Sequence, residues 1–147
     1  MEQSGEYRIA GSRERVWEAL NDPAVLERCI DGCRSMTPVG DDRFEAVVAA
    51  RVGPVKATFT AAIKLRDVDP PERYRLEVQV KGGVAGFAKG TAAVELAEVA
   101  ADETLLTYQI AGGIGGKLAQ IGSRLVDSAA RKMTASFFER FAVDFAA

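Results

Sequence analysis

Histidine, the side chain best suited to acid–base catalysis near neutral pH and the commonest metal ligand, is absent from all 147 positions. The composition therefore excludes a Ser-His-Asp triad, a Cys-His pair and a histidine-ligated metal. Cys29 and Cys33 in the segment CIDGC have the spacing of a redox pair or half a metal site, but no second ligand cluster accompanies them. We predict two small free thiols at a turn, no metal and no resident cofactor.

Two glycine-rich segments, GGVAG at 82–86 and GGIGG at 112–116, are the next candidates. The second stands between a predicted strand and a predicted helix, as a phosphate-binding loop does. It lacks the GKS or GKT ending and a parallel sheet, so nucleotide binding is not expected. Because glycine tolerates unusual backbone angles, a flexible gate is the preferred interpretation, with ordinary solvated loops as the alternative.

Apolar residues beside these glycines are accompanied by lysines. Such tips suit transient contact with an anionic bilayer, where each cation near the surface contributes about 1 kcal/mol. The predicted gate and membrane-contact residues are Gly82, Gly83, Val84, Gly86, Phe87, Lys89, Gly112, Gly113, Ile114 and Lys117.

The overall composition fits one globular domain over residues 1–147, with 48% hydrophobic and 27% charged residues. A net charge of −2 gives no electrostatic basis for a nucleic-acid partner. The N-terminal segment MEQSGEYRIAG does not resemble a secretory signal, and no run approaches the roughly 20 apolar residues of a membrane span. We expect a cytoplasmic protein that also makes peripheral contact with the inner face of the cytoplasmic membrane.

Local patterns predict a strand, two short helices, about six further strands and one long helix. Glu6–Ile9 alternates as a strand, Ser12 caps a first helix, and Asp22-Pro23 opens a second. Trp17 is expected in the core, with ligand stacking as the alternative. From Arg34 to Gly112 the apolar period is two, which describes an antiparallel meander with one apolar face.

The stretch from Gly115 to Phe145 has the period of a helix about 45 Å long. Its apolar stripe comprises Leu118, Ile121, Leu125, Ala129, Met133, Phe137, Phe141 and Phe145, and Asp127 is assigned to a solvated face. An α+β fold in which a curved antiparallel sheet of about seven strands wraps around this helix is the simplest assembly. The inward-facing set includes Ala46, Ala50, Ala57, Ala61 and Ala92, so either the helix sinks close to the sheet or a cavity opens.

Six segments together resemble the carbon monoxide dehydrogenase G-subunit family of the START-like (SRPBCC, birch-pollen-allergen-like) superfamily. They are VWEALNDPAVLERCIDGC, GPVKATF, VDPPERYRL, GGVAGFAKGTA, TLLTYQIAGGIGGKLAQIGSRLVDSAARKM and FFERFA. One departure is Asp31, where the family usually has proline. Some family members carry a C-terminal extension that reaches the membrane, whereas this sequence ends at Ala147.

The resemblance implies a helix-grip fold around an apolar pocket, in a non-catalytic accessory protein of an aerobic carbon monoxide dehydrogenase-type molybdenum hydroxylase. Such a protein would bind a quinone or another lipid and assist membrane recruitment or delivery of the electron acceptor. The predicted cavity lining is Phe59, Ile63, Leu76, Val78, Phe87, Tyr108, Ile110, Leu118, Ile121, Leu125 and Met133. Tyr108 is the expected polar anchor, and a plain core role is the alternative for the whole set.

A small enzyme is the competing hypothesis, because the superfamily also contains polyketide cyclases. An enzyme would need a carboxylate, tyrosine or lysine with a shifted pKa inside the pocket. The inward pattern offers Tyr74 and Tyr108, while Glu77 and Glu95 alternate outward. We therefore prefer the carrier, and an inward-facing Asp or Glu hydrogen-bonded in a deep pocket would reverse that preference.

Overall fold

Seven strands and four α-helices follow one another in residues 1–146, the part of the chain described by a computed structural model. The elements are β1 (Glu2–Ile9), α1 (Arg13–Leu20), α2 (Pro23–Cys29), β2 (Cys33–Gly40), β3 (Arg43–Val52), β4 (Val55–Asp69), β5 (Arg73–Lys81), a 3₁₀ turn (Gly83–Ala85), β6 (Phe87–Ala100), β7 (Glu103–Gly115), α3 (Lys117–Gln120) and α4 (Ser123–Ala146). The predicted order of strand, two short helices, further strands and terminal helix is confirmed.

All seven strands belong to one antiparallel sheet with the order β1-β7-β6-β5-β4-β3-β2. Each strand from β2 to β7 pairs with its neighbour in sequence. The first strand, β1, forms the other edge of the sheet and pairs with β7 from Glu2↔Ala111 to Ile9↔Thr104. The helix α4 crosses the apolar face of this sheet, where Phe138 stacks on Tyr7 of β1. This is the predicted helix-grip arrangement.

The two short helices begin where the capping residues predict. The Ser12 side chain accepts a hydrogen bond from the Arg15 amide at the start of α1, and Asp22 accepts one from Ala24 at the start of α2. Pro23 occupies the first turn of α2, where its missing N–H costs nothing. Both helices place apolar residues against the same end of the sheet, and Trp17 packs edge-on against Tyr74 there.

The prediction of one continuous helix from Gly115 to Phe145 is wrong. The chain forms a single turn, α3, then breaks at Gly122, which has a φ of +97°, and starts again as α4. An L-residue rarely adopts that backbone angle, whereas glycine does so readily and commonly ends helices. Within α4 most of the predicted stripe still faces the sheet, including Phe137 and Phe141, whereas Leu125 at its start is 42% exposed.

The main apolar core lies where α1, α2 and the C-terminal half of α4 meet the sheet. Phe141, Leu106 and Val16 are fully buried in it. Phe137, Phe141 and Phe145 stack along α4, as their predicted helical spacing requires. Because this end is filled by large side chains, any space beneath α4 has to lie toward its N-terminal half.

Two ion pairs join α2 and the turn after it to the end of α4. Arg28 donates two hydrogen bonds to Asp144, the shorter from Nε to Oδ1 at 2.8 Å. Arg140 bonds to Asp31 at 3.2 Å. Asp31, the residue that departs from the family pattern, therefore takes part in fastening α4 across the sheet.

Replacing Asp144 with asparagine is expected to cause a small loss of stability at neutral pH that fades in acid. The hydrogen bond from Arg28 lowers the pKa of Asp144. Because the folded pKa lies below the unfolded value of about 3.9, the pair's stabilisation is fully present above that value and is lost as the pH falls through the folded pKa. Urea denaturation of both proteins across this acidic range measures the difference, and a pH-independent difference would contradict the assignment.

Candidate ligand-binding cavity

A cavity of about 440 Å³ lies between the apolar face of the sheet and the N-terminal half of α4. Its volume falls in the range of roughly 300–1,000 Å³ that small-molecule sites occupy. The wall on the β2–β5 side is Met36, Ala46, Val48, Ala50, Val52, Phe59, Ala61, Ile63, Val78 and Val80. The wall on the β6–β7 side and the helical roof include Ala88, Gly90, Ala92, Ile110, Gly112, Ile114, Leu118, Val126, Ala129, Ala130 and Met133.

Small side chains create this space. Four of the five inward alanines predicted from the sequence line the cavity: Ala46, Ala50, Ala61 and Ala92. The fifth, Ala57, packs beside the cluster of Val55 and Phe59. Alanines also line the roof, so neither the sheet nor the helix fills the gap. Of the two outcomes that the sequence left open, the structure has the cavity.

The predicted lining residues divide between the cavity and its surroundings. Six of them line it: Phe59, Ile63, Val78, Ile110, Leu118 and Met133. Leu76 packs instead against the main core, and Ile121 packs against the cluster of Val55, Phe59, Ala85 and Leu118. Phe87 and Leu125 are 55% and 42% exposed. Phe87 lies over Gly115, and Leu125 lies over Gly53 in the turn between β3 and β4.

Tyr108, the expected polar anchor, lies outside the cavity lining. Its ring belongs to a stack with Tyr7 and Phe138, and its hydroxyl group lies over Gly5 of β1. Burial, together with the neighbouring Tyr7, raises the pKa of Tyr108. The alternation of β7 correctly predicted the face of this residue, but not that Phe138 would occupy the adjoining space.

Asp127 is an acidic residue at the cavity that the sequence pattern did not predict. It was assigned to a solvated face because the predicted stripe ran in steps of four residues, and each such step drifts by roughly 40° around a helix of 3.6 residues per turn. In α4 the side that faces the cavity carries Ser123, Val126, Asp127, Ala130 and Met133, while Leu125 is 42% exposed. The available signal was the helical spacing itself, because Asp127 lies four residues after Ser123 and three before Ala130.

The Asp127 carboxylate is placed unusually for an acidic side chain. Its Oδ1 atom is buried and has no hydrogen-bond partner. Its main-chain carbonyl accepts a hydrogen bond of 3.2 Å from Nε2 of Gln3, which is itself buried. An enzyme would be favoured by an inward-facing acidic residue that is hydrogen-bonded in a deep pocket. Asp127 has the inward position, but its buried oxygen has no hydrogen bond. Tyr74, the other inward candidate, lies in the core, where burial raises its pKa.

The two glycine-rich segments lie together at one end of the sheet, called here the glycine-rich end (residues 82–86 and 112–117). Gly82–Gly86 contains the 3₁₀ turn, and Val84 at its tip is 95% exposed. The prediction of a loop at GGIGG is wrong, because β7 runs through it to Gly115. Gly90 and Gly112 face each other across β6 and β7 so closely that a Cβ on Gly90 would lie 2.8 Å from the Ala111 carbonyl oxygen. Gly90 and Gly112 therefore allow the backbones of β6 and β7 to approach each other closely.

Both cysteines are free thiols, as predicted. Burial raises the pKa of Cys29 and of Cys33, so less of each thiol is present as the reactive thiolate. Within residues 1–146, no group of three His, Cys, Asp or Glu side chains is arranged to hold a metal ion. The same residues contain no helix that is both long and apolar enough to cross a bilayer.

The sequence of residues 5–145 matches the family described as the carbon monoxide dehydrogenase G subunit (CoxG). The chain belongs to the CoxG family. A search among curated proteins found no match. The resemblance noted in the sequence is therefore confirmed over nearly the whole chain.

Solved structures similar to this CoxG family member include a conserved protein from Geobacillus kaustophilus, with a TM-score of 0.92 and 32% identity over 99% of this chain and 95% of that one. A START superfamily protein from Mycobacterium smegmatis has a TM-score of 0.76 and 11% identity, covering 98% and 96% of the two chains. The Zhui aromatase/cyclase from Streptomyces sp. R1128 has a TM-score of 0.69 and 11% identity, covering 99% and 92%. The last two likenesses establish the START-like fold.

Proposed function

We propose that this protein binds a quinone or another isoprenoid lipid in the cavity beneath α4, as an accessory protein of a carbon monoxide dehydrogenase-type molybdenum hydroxylase. The observation that carries the proposal is the cavity itself, whose walls are almost entirely hydrocarbon in a fold that could have closed. Close packing is the normal state of a protein interior. A space kept open by alanines on three strands and one helix is best explained by a hydrophobic ligand.

The family membership supports the choice of partner. A carrier that takes a hydrophobic electron acceptor from the bilayer would spare the enzyme direct contact with the membrane. During transfer the acceptor would be enclosed by apolar side chains, which avoids the free-energy cost of exposing it to water. We propose that the protein delivers the acceptor to the hydroxylase in this way and returns it after reduction.

The glycine-rich end is the proposed site of transient contact with the membrane. Val84 and Phe87 are exposed there, Lys81 pairs in register with Phe87, and Lys89 and Lys117 are exposed lysines of the adjoining segments. The cavity lining reaches this end through Ile114, Gly113 and Lys89. Insertion of the apolar tips would therefore bring the cavity close to the lipid from which a ligand is taken.

Native mass spectrometry of the protein purified from its own host, followed by lipid extraction, tests the proposed function. We expect a mass above that of the 15.7 kDa chain and recovery of a quinone from the extract. A protein that stays empty through gentle purification, and also takes up no quinone from vesicles, would contradict a carrier role.

A small cyclase remains a second candidate because Asp127 places a carboxylate at the cavity. A carboxylate there could act as a general base toward a cyclic substrate. The likeness to an aromatase/cyclase at 11% identity concerns the fold alone. Turnover of an aromatic polyketide substrate by the wild-type protein, lost when Asp127 is changed to asparagine, would favour this candidate.

A further inference from the structure

The buried oxygen of Asp127 is chemically exceptional within the part of the chain that the structure describes. Two buried side-chain polar atoms there have no hydrogen-bond partner, Asp127 Oδ1 and Arg13 Nε. Of these two residues, only Asp127 lines the cavity. A buried polar group without a partner is costly, and a carboxylate more so. A partner is therefore expected in the functional state, and the cavity is the place from which one can come.

The position of Asp127 is fixed from the sheet side. Gln3 of β1 donates to its main-chain oxygen, and Gln3 pairs in register with Ile110, which in turn pairs with Ala92. Both Ile110 and Ala92 are apolar lining residues. The main chain of Asp127 is therefore fixed to the strand that adjoins the hydrocarbon floor, and Asp127 is itself one of the residues that line the cavity.

The chemistry of a carboxylate decides which ligand can satisfy it. An ionised carboxylate only accepts hydrogen bonds, so the ligand must supply a donor. An oxidised quinone has carbonyl oxygens and no donor, whereas the reduced quinol carries two hydroxyl groups. An ammonium group would also donate, but its transfer into this hydrocarbon-lined space would be far more costly than that of a hydroxyl.

We propose that Asp127 accepts a hydrogen bond from a ring hydroxyl of the bound ligand, so that the cavity binds the quinol form in preference to the oxidised quinone. This inference rests on the proposed function, namely that the cavity holds a quinone-type ligand. The preference would be about tenfold to a hundredfold, the range that a hydrogen bond to a charged group supplies. A tenfold preference raises the midpoint potential of the bound two-electron couple by about 30 mV.

Such a preference would give the carrier a direction. The oxidised form would bind more weakly and leave more readily, while the reduced form would be retained on the way back from the enzyme. Asp127 is then a specificity-determining residue that reads the oxidation state of the ligand and takes no part in electron transfer.

Anaerobic titration calorimetry with a one-isoprenoid ubiquinone and with its chemically reduced quinol tests the inference. The wild-type protein should bind the quinol at least tenfold tighter. In Asp127→Leu, which removes the acceptor, quinol affinity should fall by that factor while quinone affinity holds, so that the ratio approaches one. Asp127→Asn, which keeps one acceptor oxygen, should retain part of the preference. Glu139→Leu makes the same kind of change at an exposed position of α4 and should leave both affinities unchanged.

The outcomes separate the inference from the function on which it rests. Equal affinity of wild-type protein for both forms, or a preference that survives in Asp127→Leu, would overturn the role of Asp127 while leaving a quinone carrier intact. Binding of neither form by wild-type protein would overturn the proposed function and the inference together. Because equal wild-type affinities alone would overturn the inference, it stays falsifiable even if a variant does not fold.

Discussion

Phenylalanine in place of Ala129 is expected to reduce quinone uptake by roughly a hundredfold while leaving the fold stable. Ala129 lines the roof of the cavity, and a benzyl group there takes the space of several ligand carbons. Each methylene-sized group that the ligand can no longer bury is worth about 0.8 kcal/mol, so excluding four costs about 3 kcal/mol, or two factors of ten. Filling a cavity commonly stabilises a protein, so the melting temperature should hold or rise.

The matched control is phenylalanine at Ala135, an exposed position on the same helix. It introduces the same side chain without reaching the cavity, so uptake from quinone-loaded vesicles should match that of wild type. The readout is extracted quinone per mole of recovered protein, with circular dichroism melting beside it. Normal uptake by a folded Ala129→Phe protein would mean that the ligand binds elsewhere.

Much of the fold could be predicted because its signals are local. The alternation of Phe59, Ala61 and Ile63 fixes one face of β4, and it does so within a few residues. The caps at Ser12 and Asp22 depend on hydrogen bonds that span two or three residues. Where the determining contact is close in sequence, the pattern alone was sufficient.

The cavity could be predicted only in part, for two reasons. Steps of four residues drift by roughly 40° each around a helix of 3.6 residues per turn, so the predicted stripe included Leu125 and left out Asp127, which faces the cavity with Ser123 and Ala130. The other reason is that some boundaries depend on contacts between distant residues. The Tyr108 ring does not line the cavity, because Phe138, thirty positions along the chain, packs against it. Periodicity predicts a face, but it does not predict which neighbour fills the space.

The GGIGG segment makes the same point for strands. Glycine runs are read as loops because glycine gives up packing and conformational entropy in a regular element. Here Gly112 lies opposite Gly90, and the close approach of two backbones makes glycine the suitable residue. The pairing joins residues 22 positions apart, so no local window contains the reason for it.

Serine at both Val84 and Phe87 is expected to lower binding to anionic vesicles by about tenfold or more. The two side chains are exposed at the glycine-rich end, and full burial of a valine or phenylalanine is worth about 1.5–3 kcal/mol each. Even partial insertion of both would exceed the 1.4 kcal/mol that corresponds to a factor of ten. Cosedimentation with vesicles of phosphatidylglycerol and phosphatidylethanolamine measures the change.

The control for this pair is serine at Val39 and Val99, which are 55% and 46% exposed. Alternate hairpins of an antiparallel sheet lie at opposite ends, so these valines, near the β2–β3 and β6–β7 turns, are remote from the glycine-rich end. If the membrane approaches only the end with Lys81, Lys89 and Lys117, the control variant should bind vesicles like wild type. Raised salt should then weaken vesicle binding of the control and of wild type alike, because it screens the lysine charges. Equal losses in the two double variants would instead mean that vesicles bind exposed valines wherever they lie, and the glycine-rich end would have no special role.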